Sequence, residues 1–459
     1  MRRFARPSMH HVAGLWNLWL RAAFSCLMLA CTVNAADAPP ALKIRQKTLK
    51  NGLKIVAAED RSRPVINLQV WYHVGSKDEK PGRTGFAHLF EHLMFRGSRN
   101  VGPEEHMRLV RQAGGVVNAY TSFDTTVYWE TFPSNYLERM LWLEADRMAS
   151  LDVSEENFHK EREVVKEERR LRVENAPYGN LLDEVLRNTY RRYPYRHSPI
   201  GSMEDLDRAT IADVRAFHST YYVPNNATLV LVGDFDAGEA FRLAEKHFGQ
   251  IPRGRRVPRV RASEPEQKER REASLEDPKA PLDAVVASYV LPPAGHPDSY
   301  ALEIAASILS TGQSSRLYRR LVYEAQSAMT AQGEALLLEG PSLFFCFAVG
   351  NPGKDIRQIL AEMESILGEI SEKSVTEEEL AKAKNQILAS FILERESMQG
   401  KADFLGKCAV LYGDPDRYNS ELDRYLRVTA ADVQRVVRRW LAPQRQTRVF
   451  IRPAGSAGQ

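Results

Sequence analysis

Two distant segments of the chain share the same order of a helix-like run, a proline and a strand-like run. This repeat constrains the fold more than any other feature of the sequence. The first is a helix-like run from Thr210 to Pro224, and the second runs from Thr429 to Pro443. In both runs the proline lies 14 positions after the threonine (224 − 210 and 443 − 429), and a β-branched run typical of a strand follows each. A helix, a proline and a strand that recur at one spacing indicate a duplicated unit rather than a single large core.

A second pair of segments supports the duplication. Val153-Ser-Glu-Glu156 and Val375-Thr-Glu-Glu378 each place a hydroxyl residue before two glutamates, which is typical of the start of a helix. Strand-like runs open each half, at residues 53–58 and 65–73 in the first and 284–291 in the second. We therefore predict an α+β protein of two homologous halves, each a mostly antiparallel sheet covered by helices on one face.

The boundary between the halves is predicted at residues 252–267, where three prolines and a glycine lie among arginines and glutamates. Such a charged stretch is typical of a solvated linker, and a docking patch is the alternative. The predicted domains are residues 36–251 and 268–459, preceded by a leader at residues 1–35.

The predicted leader has the composition of a secretory signal peptide. Residues 1–35 contain four arginines and no acidic residue, an apolar run covers residues 22–33, and small residues precede Ala36. So short a run spans a bilayer poorly, which favours cleavage before Ala36 over an uncleaved anchor. Lipid modification at Cys31 is a lesser alternative. We expect a periplasmic or secreted protein with no membrane span once the leader is removed.

Removal of the leader changes the charge balance and the cysteine count. The chain has 63 basic and 59 acidic residues, and four arginines leave with the leader, so 59 of each remain. A balanced chain gives no reason to expect a nucleic-acid partner. Cys346 and Cys408 remain, and they could form a disulfide or be two buried thiols.

The stretch His88-Leu-Phe-Glu91-His92 lies in an apolar run that predicts a buried helix. His88 and His92 are four residues apart, so both rings can reach one metal ion from one face. Glu91 lies beside them, where a carboxylate can act as a general base on water. This order reverses that of the HExxH motif and is a metallopeptidase signature. The alternative is two hydrogen-bonded core histidines, which leaves three polar groups in one apolar helix unexplained.

A catalytic zinc ion needs a third protein ligand, and the helix-like run at residues 158–169 offers four glutamates. Glu161 and Glu168 are seven residues apart, so they lie two turns apart on one face. Glu163 and Glu167 are expected to face solvent beside basic residues. The spacing alone leaves the choice between Glu167 and Glu168 open.

With these motifs the chain resembles the inverzincin metallopeptidases, the group of pitrilysin, insulin-degrading enzyme and the mitochondrial processing peptidase, and specifically their short bacterial members. In that family the third ligand lies about 76 residues after the second histidine, and another glutamate lies seven residues before it. Here 168 − 92 = 76 and 168 − 161 = 7. The resemblance implies that His88, His92 and Glu168 bind one Zn²⁺ per chain. It also implies Glu91 as the general base and Glu161 as a carboxylate that orients the site.

A second family element is Gly114-Gly115, followed by a strand-like run through Asn118 and Ala119. The resemblance implies that these two residues lie at a sheet edge beside the zinc ion, where a substrate peptide would add as an extra strand. Without the resemblance, an ordinary hairpin strand fits the residues equally well. The expected activity is that of a metalloendopeptidase acting on peptides or unfolded protein segments.

The second half cannot repeat the zinc site. No histidine follows His296, and the repeat places Ala383 and Ser390 where the first half has Glu161 and Glu168. One active site per chain follows, with the second half as its lid or wall.

One position departs from the family pattern. Catalytically complete members carry in the second half an Arg and a Tyr, thirteen residues apart, that hold the substrate across from the zinc ion. Arg316 fits the first position, but Met329 stands at the second. Either Tyr318 or Tyr323 replaces the tyrosine, or a partner chain supplies it. We favour the partner, which predicts a heterodimer with a second family subunit, or otherwise a homodimer.

A non-catalytic peptide-binding or scaffold subunit is the alternative function. It is disfavoured because the chain keeps both histidines and the glutamate of the motif. Hydrolysis of a non-peptide substrate is a weaker alternative still, since the predicted edge strand suits a peptide.

Overall fold

The computed structural model describes residues 41–454, so the predicted leader and its cleavage site lie outside the described residues. The strands are β1 Ile44–Thr48, β2 Lys54–Glu59, β3 Val65–Tyr72, β4 Val116–Thr121, β5 Thr126–Pro133, β6 Ala227–Gly233, β7 Arg271–Asp277, β8 Ala284–Leu291, β9 Ala328–Leu336, β10 Ser342–Gly350 and β11 Thr447–Pro453.

The helices are α1 Phe86–Leu93, α2 Glu105–Gln112, α3 Leu137–Ser150, α4 Glu155–Arg169, α5 Leu181–Thr189, α6 Met203–Arg208, α7 Ile211–Tyr221, α8 Ala237–Phe248, α9 Pro297–Ser310, α10 Ile356–Lys373, α11 Glu377–Glu394, α12 Met398–Val410, α13 Glu421–Leu426 and α14 Ala430–Trp440. Two π-helical turns, Arg170–Glu174 and Tyr318–Glu324, add to these. Within residues 41–454 no helix combines the length and the apolar character needed to cross a membrane.

The strands form two sheets with one topology. The first sheet has the order β1-β2-β6-β3-β5-β4, and the second has the order β7-β11-β8-β10-β9. In each sheet one neighbouring pair is parallel, β2 with β6 and β7 with β11, and the other pairs are antiparallel. Apart from β1, each strand of the first sheet has a counterpart at the same position in the second sheet. The predicted α+β class with two homologous halves is confirmed.

The two repeated segments of the sequence begin their helices with the same kind of cap. The hydroxyls of Thr210 and Thr429 accept hydrogen bonds from the backbone N–H of Asp213 and Asp432, both at 3.2 Å. These contacts satisfy N–H groups that have no partner inside the helix. The same local chemistry therefore starts α7 and α14 in the two halves.

The helices of the first half cover one face of the first sheet. Leu68 and Val70 of β3 share a buried cluster with Phe86 and Leu89 of α1 and with Phe158 of α4. Alternate residues of a strand point to opposite faces, so the remaining residues of β3 face the other side of the sheet. The prediction that helices cover one face of each sheet therefore holds only for the helices that belong to the same half as the sheet.

The opposite face of each sheet is covered by a helix from the other half. Helix α12 of the second half packs on β3 and β6, and its Leu405 shares a buried cluster with Trp71 and Val230. Helix α5 of the first half packs on β8 and β11, and its Leu186 shares a cluster with Val286. Because of this exchange, neither half encloses its own core completely.

The segment between the two sheets agrees in character with a linker. Residues 252–270 contain neither helix nor strand, and the arginines at positions 253, 255, 256, 259 and 261 are exposed. The domain boundary at residues 252–267 stays a prediction, since the exchanged helices cross any such division.

The two cysteines in the described range are separate buried thiols. Cys346 lies in β10 and Cys408 lies in α12, and both are free. Burial raises the pKa of each thiol to about 12. Of the two arrangements that the sequence leaves open, the structure has the buried thiols rather than the disulfide.

The exchanged packing yields a stability prediction for two glycines in helix interiors. A Cβ atom at Gly406 of α12 would lie 2.2 Å from Cε2 of Trp71, whereas one at Gly368 of α10 would have nothing within 4 Å. Alanine in a helix gains about 0.5–1 kcal/mol over glycine, but overpacking costs about 1–3 kcal/mol. We expect Gly368→Ala to raise the midpoint of denaturant unfolding and Gly406→Ala to lower it. Equal stabilisation by both substitutions would contradict the close contact of α12 with the first sheet.

Candidate metal centre and substrate strand

Helix α1 is buried, and a carboxylate from outside the helix caps its N-terminus. Gly85 precedes the helix with a φ of 89° and offers no side-chain cap. The two carboxylate oxygens of Glu79 instead accept hydrogen bonds from the N–H groups of Gly85 at 2.9 Å and Ala87 at 2.8 Å. Because the first N–H groups of a helix lack partners, this contact fixes the start of the helix that carries both histidines.

Helices α1 and α4 bring the three predicted metal ligands together. Nε2 of His92 lies 3.2 Å from Oε2 of Glu168, and Nε2 of His88 lies 3.7 Å from the same oxygen. The three ligand atoms are all within 4.8 Å of one another. Atoms bound at tetrahedral angles to one zinc ion lie roughly 3.2–3.6 Å apart. Two imidazoles and one carboxylate at this spacing fit a zinc ion that keeps an open position.

Charged side chains behind the ligands fix their orientation. Oε2 of Glu161 lies 3.3 Å from Nδ1 of His92, and the other oxygen of Glu161 accepts from Arg96. Nη1 of Arg172 lies 2.6 Å from Oε1 of Glu168, so Oε2 of that carboxylate is left for the histidines. A carboxylate on the far ring nitrogen sets the tautomer and the direction of the ligating nitrogen.

The electrostatics of the centre favour a bound cation. Burial opposes the charged form of His92, but the carboxylates of Glu161 and Glu168 outweigh it and raise the pKa of His92 to about 9. Burial likewise opposes the charged form of Glu168, but His92, His88 and Arg172 lower its pKa to about 2. Burial lowers the pKa of His88. A metal ion entering the centre would therefore compete with the proton of His92.

Glu91 lies next to the predicted substrate strand. Its Oε2 accepts a hydrogen bond from the hydroxyl of Thr121 at 2.7 Å. Thr121 ends β4, which is the edge strand of the first sheet and pairs with β5 alone. Asn118 is exposed and Ala119 is buried in the same strand. The C-terminal end of β4, whose outer edge pairs with no other strand in the described sheets, thus lies beside the carboxylate of Glu91.

The other glutamates of α4 face solvent. Glu167 pairs with Arg170 at 2.9 Å and its side chain is 57% exposed. Glu163 lies 3.4 Å from Arg162 and its side chain is 55% exposed. Of the two adjacent glutamates that the spacing leaves open, the structure places Glu168 at the histidines.

Arg316 is not brought to the metal residues within the chain. Its guanidinium donates to both oxygens of Glu379 in α11, at 2.7 and 2.8 Å. Tyr323 is 75% exposed and Met329 is 55% exposed, and Tyr318 is half-buried at the start of a π-helical turn. Within residues 41–454 these side chains make no hydrogen bond or ion pair to the metal residues.

A second buried group has ligand chemistry but already holds a positive charge. Atoms of His106, Glu130 and Glu144 lie within 4.8 Å of one another. Arg147 donates to Glu144 and lies over two aromatic rings beside the group. Burial raises the pKa of Glu130 well above its ordinary value. The guanidinium of Arg147 already supplies a positive charge to these carboxyl groups, so the group does not require a metal ion.

The sequence reasoning missed four residues of the centre. Arg96 and Arg172 follow His92 and Glu168 by four residues, so helical spacing could have indicated both. Thr121 lies in the strand-like run that was singled out, but its contact with Glu91 depends on the packing of β4 against α1. No local sequence pattern predicts the contact of Glu79 with α1, because Glu79 lies in a turn that precedes the helix.

Comparison with known proteins finds two family models along the chain. Residues 54–202 match the family model described as insulinase (peptidase family M16), and residues 208–387 match the model described as the peptidase M16 inactive domain. The second match falls mostly on the half in which the sequence offers no copy of the metal site.

Individual relatives share the fold over most of the chain. The zinc protease PqqE of Helicobacter pylori is 34% identical over 409 residues, which are 88% of this chain and 92% of that protein. The crystal structure of a protease from Helicobacter pylori has a TM-score of 0.86 and 33% identity, over 90% of this chain and all (100%) of that one. The periplasmic protease PqqL from Escherichia coli shares the fold at 19% identity and a TM-score of 0.73, and the match covers 48% of that chain. Both matched domains and this identity along nearly the whole chain confirm the resemblance, and the chain belongs to the insulinase family of peptidases, family M16.

Proposed function

We propose that the chain is an exported zinc metalloendopeptidase that hydrolyses peptides or unfolded protein segments. The observation that carries the proposal is the convergence of His88, His92 and Glu168, with the carboxylate of Glu91, held by Thr121, on the same helix as the histidines. The relatives named zinc proteases support the metal and the reaction class. One zinc ion per chain is proposed, because the second half has no histidine after His296.

A zinc ion held by these three ligands supplies Lewis-acid chemistry, which acidifies water and polarises a peptide carbonyl. Glu91 accepts the proton of the attacking water and returns it to the leaving amine. Thr121 donates to one oxygen of Glu91 and so directs the other oxygen to the water. Glu161 and Arg96 hold the ring of His92 from behind, which keeps its Nε2 aimed at the ligand position.

The proposed substrate is an extended peptide that pairs with β4 at Asn118 and Ala119. The support is the edge position of β4, whose second side has no strand neighbour in the described sheets. Main-chain pairing at a sheet edge binds peptides with little dependence on their side chains. This mode suits peptides and unfolded segments, because their backbone N–H and C=O groups are not already paired within a fold.

Export to the periplasm or beyond is proposed from the leader at residues 1–35. The basic start, the apolar run and the small residues before Ala36 support it, as does the relative described as a periplasmic protease. N-terminal sequencing of the mature protein should begin near Ala36, and an intact Met1 in a membrane fraction would favour an anchor.

The zinc assignment predicts three different outcomes for three glutamate substitutions in α4. Glu168→Gln should be purified largely without zinc, because one of three protein ligands is weakened. Glu161→Gln should retain part of its zinc, since loss of an orienting carboxylate costs roughly 10–100-fold in affinity or activity. Glu167→Gln is the matched control and should retain all of it. Elemental analysis decides the assignment, and loss of zinc in Glu167→Gln would show that the third ligand is misassigned.

The base assignment predicts that Glu91→Gln separates catalysis from metal binding. The amide cannot accept a proton, so turnover of a quenched fluorogenic peptide should fall by roughly 10²–10⁴-fold. Zinc content should match that of the unchanged protein, because Glu91 does not bind the metal. Activity close to that of the unchanged protein would refute the base, and a parent protein that is inactive both alone and with a partner would favour the alternative of a peptide-binding subunit.

A partner chain is proposed to supply the substrate contacts that Met329 cannot make. Arg316 is tied to Glu379, and a thioether does not donate a hydrogen bond to a carbonyl. A second family subunit in a heterodimer would complete the site with an Arg and a Tyr; a second copy of this chain is the alternative partner and carries the same Met329. The purified chain alone should then cleave peptides feebly. Robust activity of a monomer, established by light scattering at the assay concentration, would refute the divided site.

A further inference from the structure

The edge position of β4 raises the question of what holds this strand in place. An edge strand has a partner on one side only and opens more readily than a central strand. Under the proposed function, the free side of β4 receives the substrate backbone. The same strand carries Thr121, which donates to Glu91 at 2.7 Å. Its position therefore matters for the bound peptide and for the carboxylate that acts on it.

The first attachment of β4 comes from the exchanged helix α12. The ring of Tyr120 in β4 lies edge-on to that of Trp71, with centroids 6.3 Å apart. The hydroxyl of Tyr120 and the carboxylate of Asp403 in α12 interact electrostatically, and the ring of Tyr120 packs on the cluster that Leu405 of the same helix helps to form. Oδ1 of Asp403 also accepts from Nε2 of Gln69 at 3.0 Å, and Gln69 is fully buried. The second half thus contacts the strand directly.

The second attachment is apolar and lies in the turn after β4. Phe123 is buried in the cluster that α5 forms with the second sheet, together with Val286 and Leu343. Its ring also meets that of Tyr195, with centroids 6.1 Å apart. A first-half turn is therefore anchored in the core of the second half.

The third attachment is a buried ion network at the same turn. Oδ1 of Asp124 accepts from the hydroxyl of Tyr195 at 2.7 Å and from Nζ of Lys77 at 2.9 Å. Oδ2 of Asp124 accepts from the backbone N–H of Glu339 at 2.9 Å. The side chain of Glu339 pairs with Lys77 and with Nε2 of His73, the latter at 2.7 Å. Glu339 lies in the turn between β9 and β10, so this contact too crosses between the halves.

We propose that the second half, which lacks the metal ligands, is a positioning element for the substrate strand of the first half. It holds β4 through Asp403 at Tyr120 and the following turn through Glu339 at Asp124. It thereby sets where the edge of β4 lies relative to Glu91. Asp403 and Glu339 are positioning residues, since each acts through a residue of the first half. The catalytic consequence rests on the proposed function, whereas the mechanical one does not.

The sharpest test removes the polar group of Tyr120 or the charge of Asp403 from the interface. Tyr120→Phe removes the hydroxyl, and Asp403→Asn removes the charge with little change in the volume of the side chain. In both variants the amides of β4 that pair with β5 should exchange hydrogen about tenfold faster, because part of the attachment of β4 to α12 is lost. With a peptide substrate, KM should rise several-fold more than kcat falls. Zinc content should stay that of the unchanged protein.

The matched control is Tyr425→Phe. Tyr425 donates to Oε2 of Glu303 at 2.7 Å, which is also a tyrosine–carboxylate contact, but both residues lie in the second half. This variant should leave the exchange of β4 and the KM unchanged. The positioning role is overturned if β4 exchanges no faster in Tyr120→Phe and Asp403→Asn than in Tyr425→Phe. Faster exchange with an unchanged KM would also overturn it.

Failure of the proposed function would be recognised separately. If the unchanged protein, with zinc bound, cleaves no peptide alone or with a partner, the peptidase proposal fails. Hydrogen exchange needs no turnover, so it still decides whether the second half holds β4. Glu339→Gln gives an independent measurement at the other attachment. It removes the charge that pairs with Lys77 and His73 but keeps the backbone bond to Asp124, and loss of the ion pairs should increase the exchange of the β4–β5 turn.

Discussion

The centre of this protein depends on the compensation of charge inside a buried helix. Helix α1 is apolar on most of its surface and yet carries two imidazoles and a carboxylate. Each of these groups would be costly to bury alone. Glu161 and Glu168 compensate the histidines, Arg96 and Arg172 compensate those glutamates, and Thr121 donates to Glu91. Helix α4 and strand β4 are therefore fixed relative to α1 by the same contacts that prepare a metal site.

The duplication explains why this arrangement occurs in one half only. Both halves have the same strand order and the same capping chemistry, so the fold does not require the ligands. At the positions of Glu161 and Glu168 the second half has Ala383, which is buried, and Ser390, which is exposed. A small apolar residue needs no compensation, so this half could keep the packing and lose the chemistry. What it gives the first half instead is mechanical, a helix on the back of the sheet and anchors for the turn after β4.

The exchange of α5 and α12 joins the halves more tightly than a linker would. Each helix fills the face of the other sheet, and Gly406 leaves room for Trp71 where any larger residue would collide. A chain divided at residues 252–267 would expose both faces, because each half keeps the helix that the other needs. The buried apolar contacts of both helices therefore stabilise the association of the two halves.

The sequence by itself determined the local chemistry of this protein. His88, Glu91 and His92 lie on one helix, and helical geometry fixes which of them share a face whatever surrounds it. The duplication, the helix caps and the strand-like runs at residues 53–58, 65–73 and 284–291 were equally readable, because hydrophobic period and capping residues act over a few positions. The choice of Glu168 over Glu167 needed the family resemblance or the structure, since adjacent residues differ only by the rotation of their helix.

Only the tertiary structure decided which distant residues meet. It placed Thr121 on Glu91 and Glu79 on the start of α1, it bound Arg316 to Glu379, and it brought Asp403 to Tyr120 across 283 positions of the chain (403 − 120). Such contacts depend on how whole sheets and helices pack, and the residues adjacent in the sequence do not indicate that packing. A helix turn is held by hydrogen bonds between residues four positions apart, so the local sequence specifies it. An interface between the halves depends instead on the complementary shapes of two cores, to which residues from distant parts of the chain contribute.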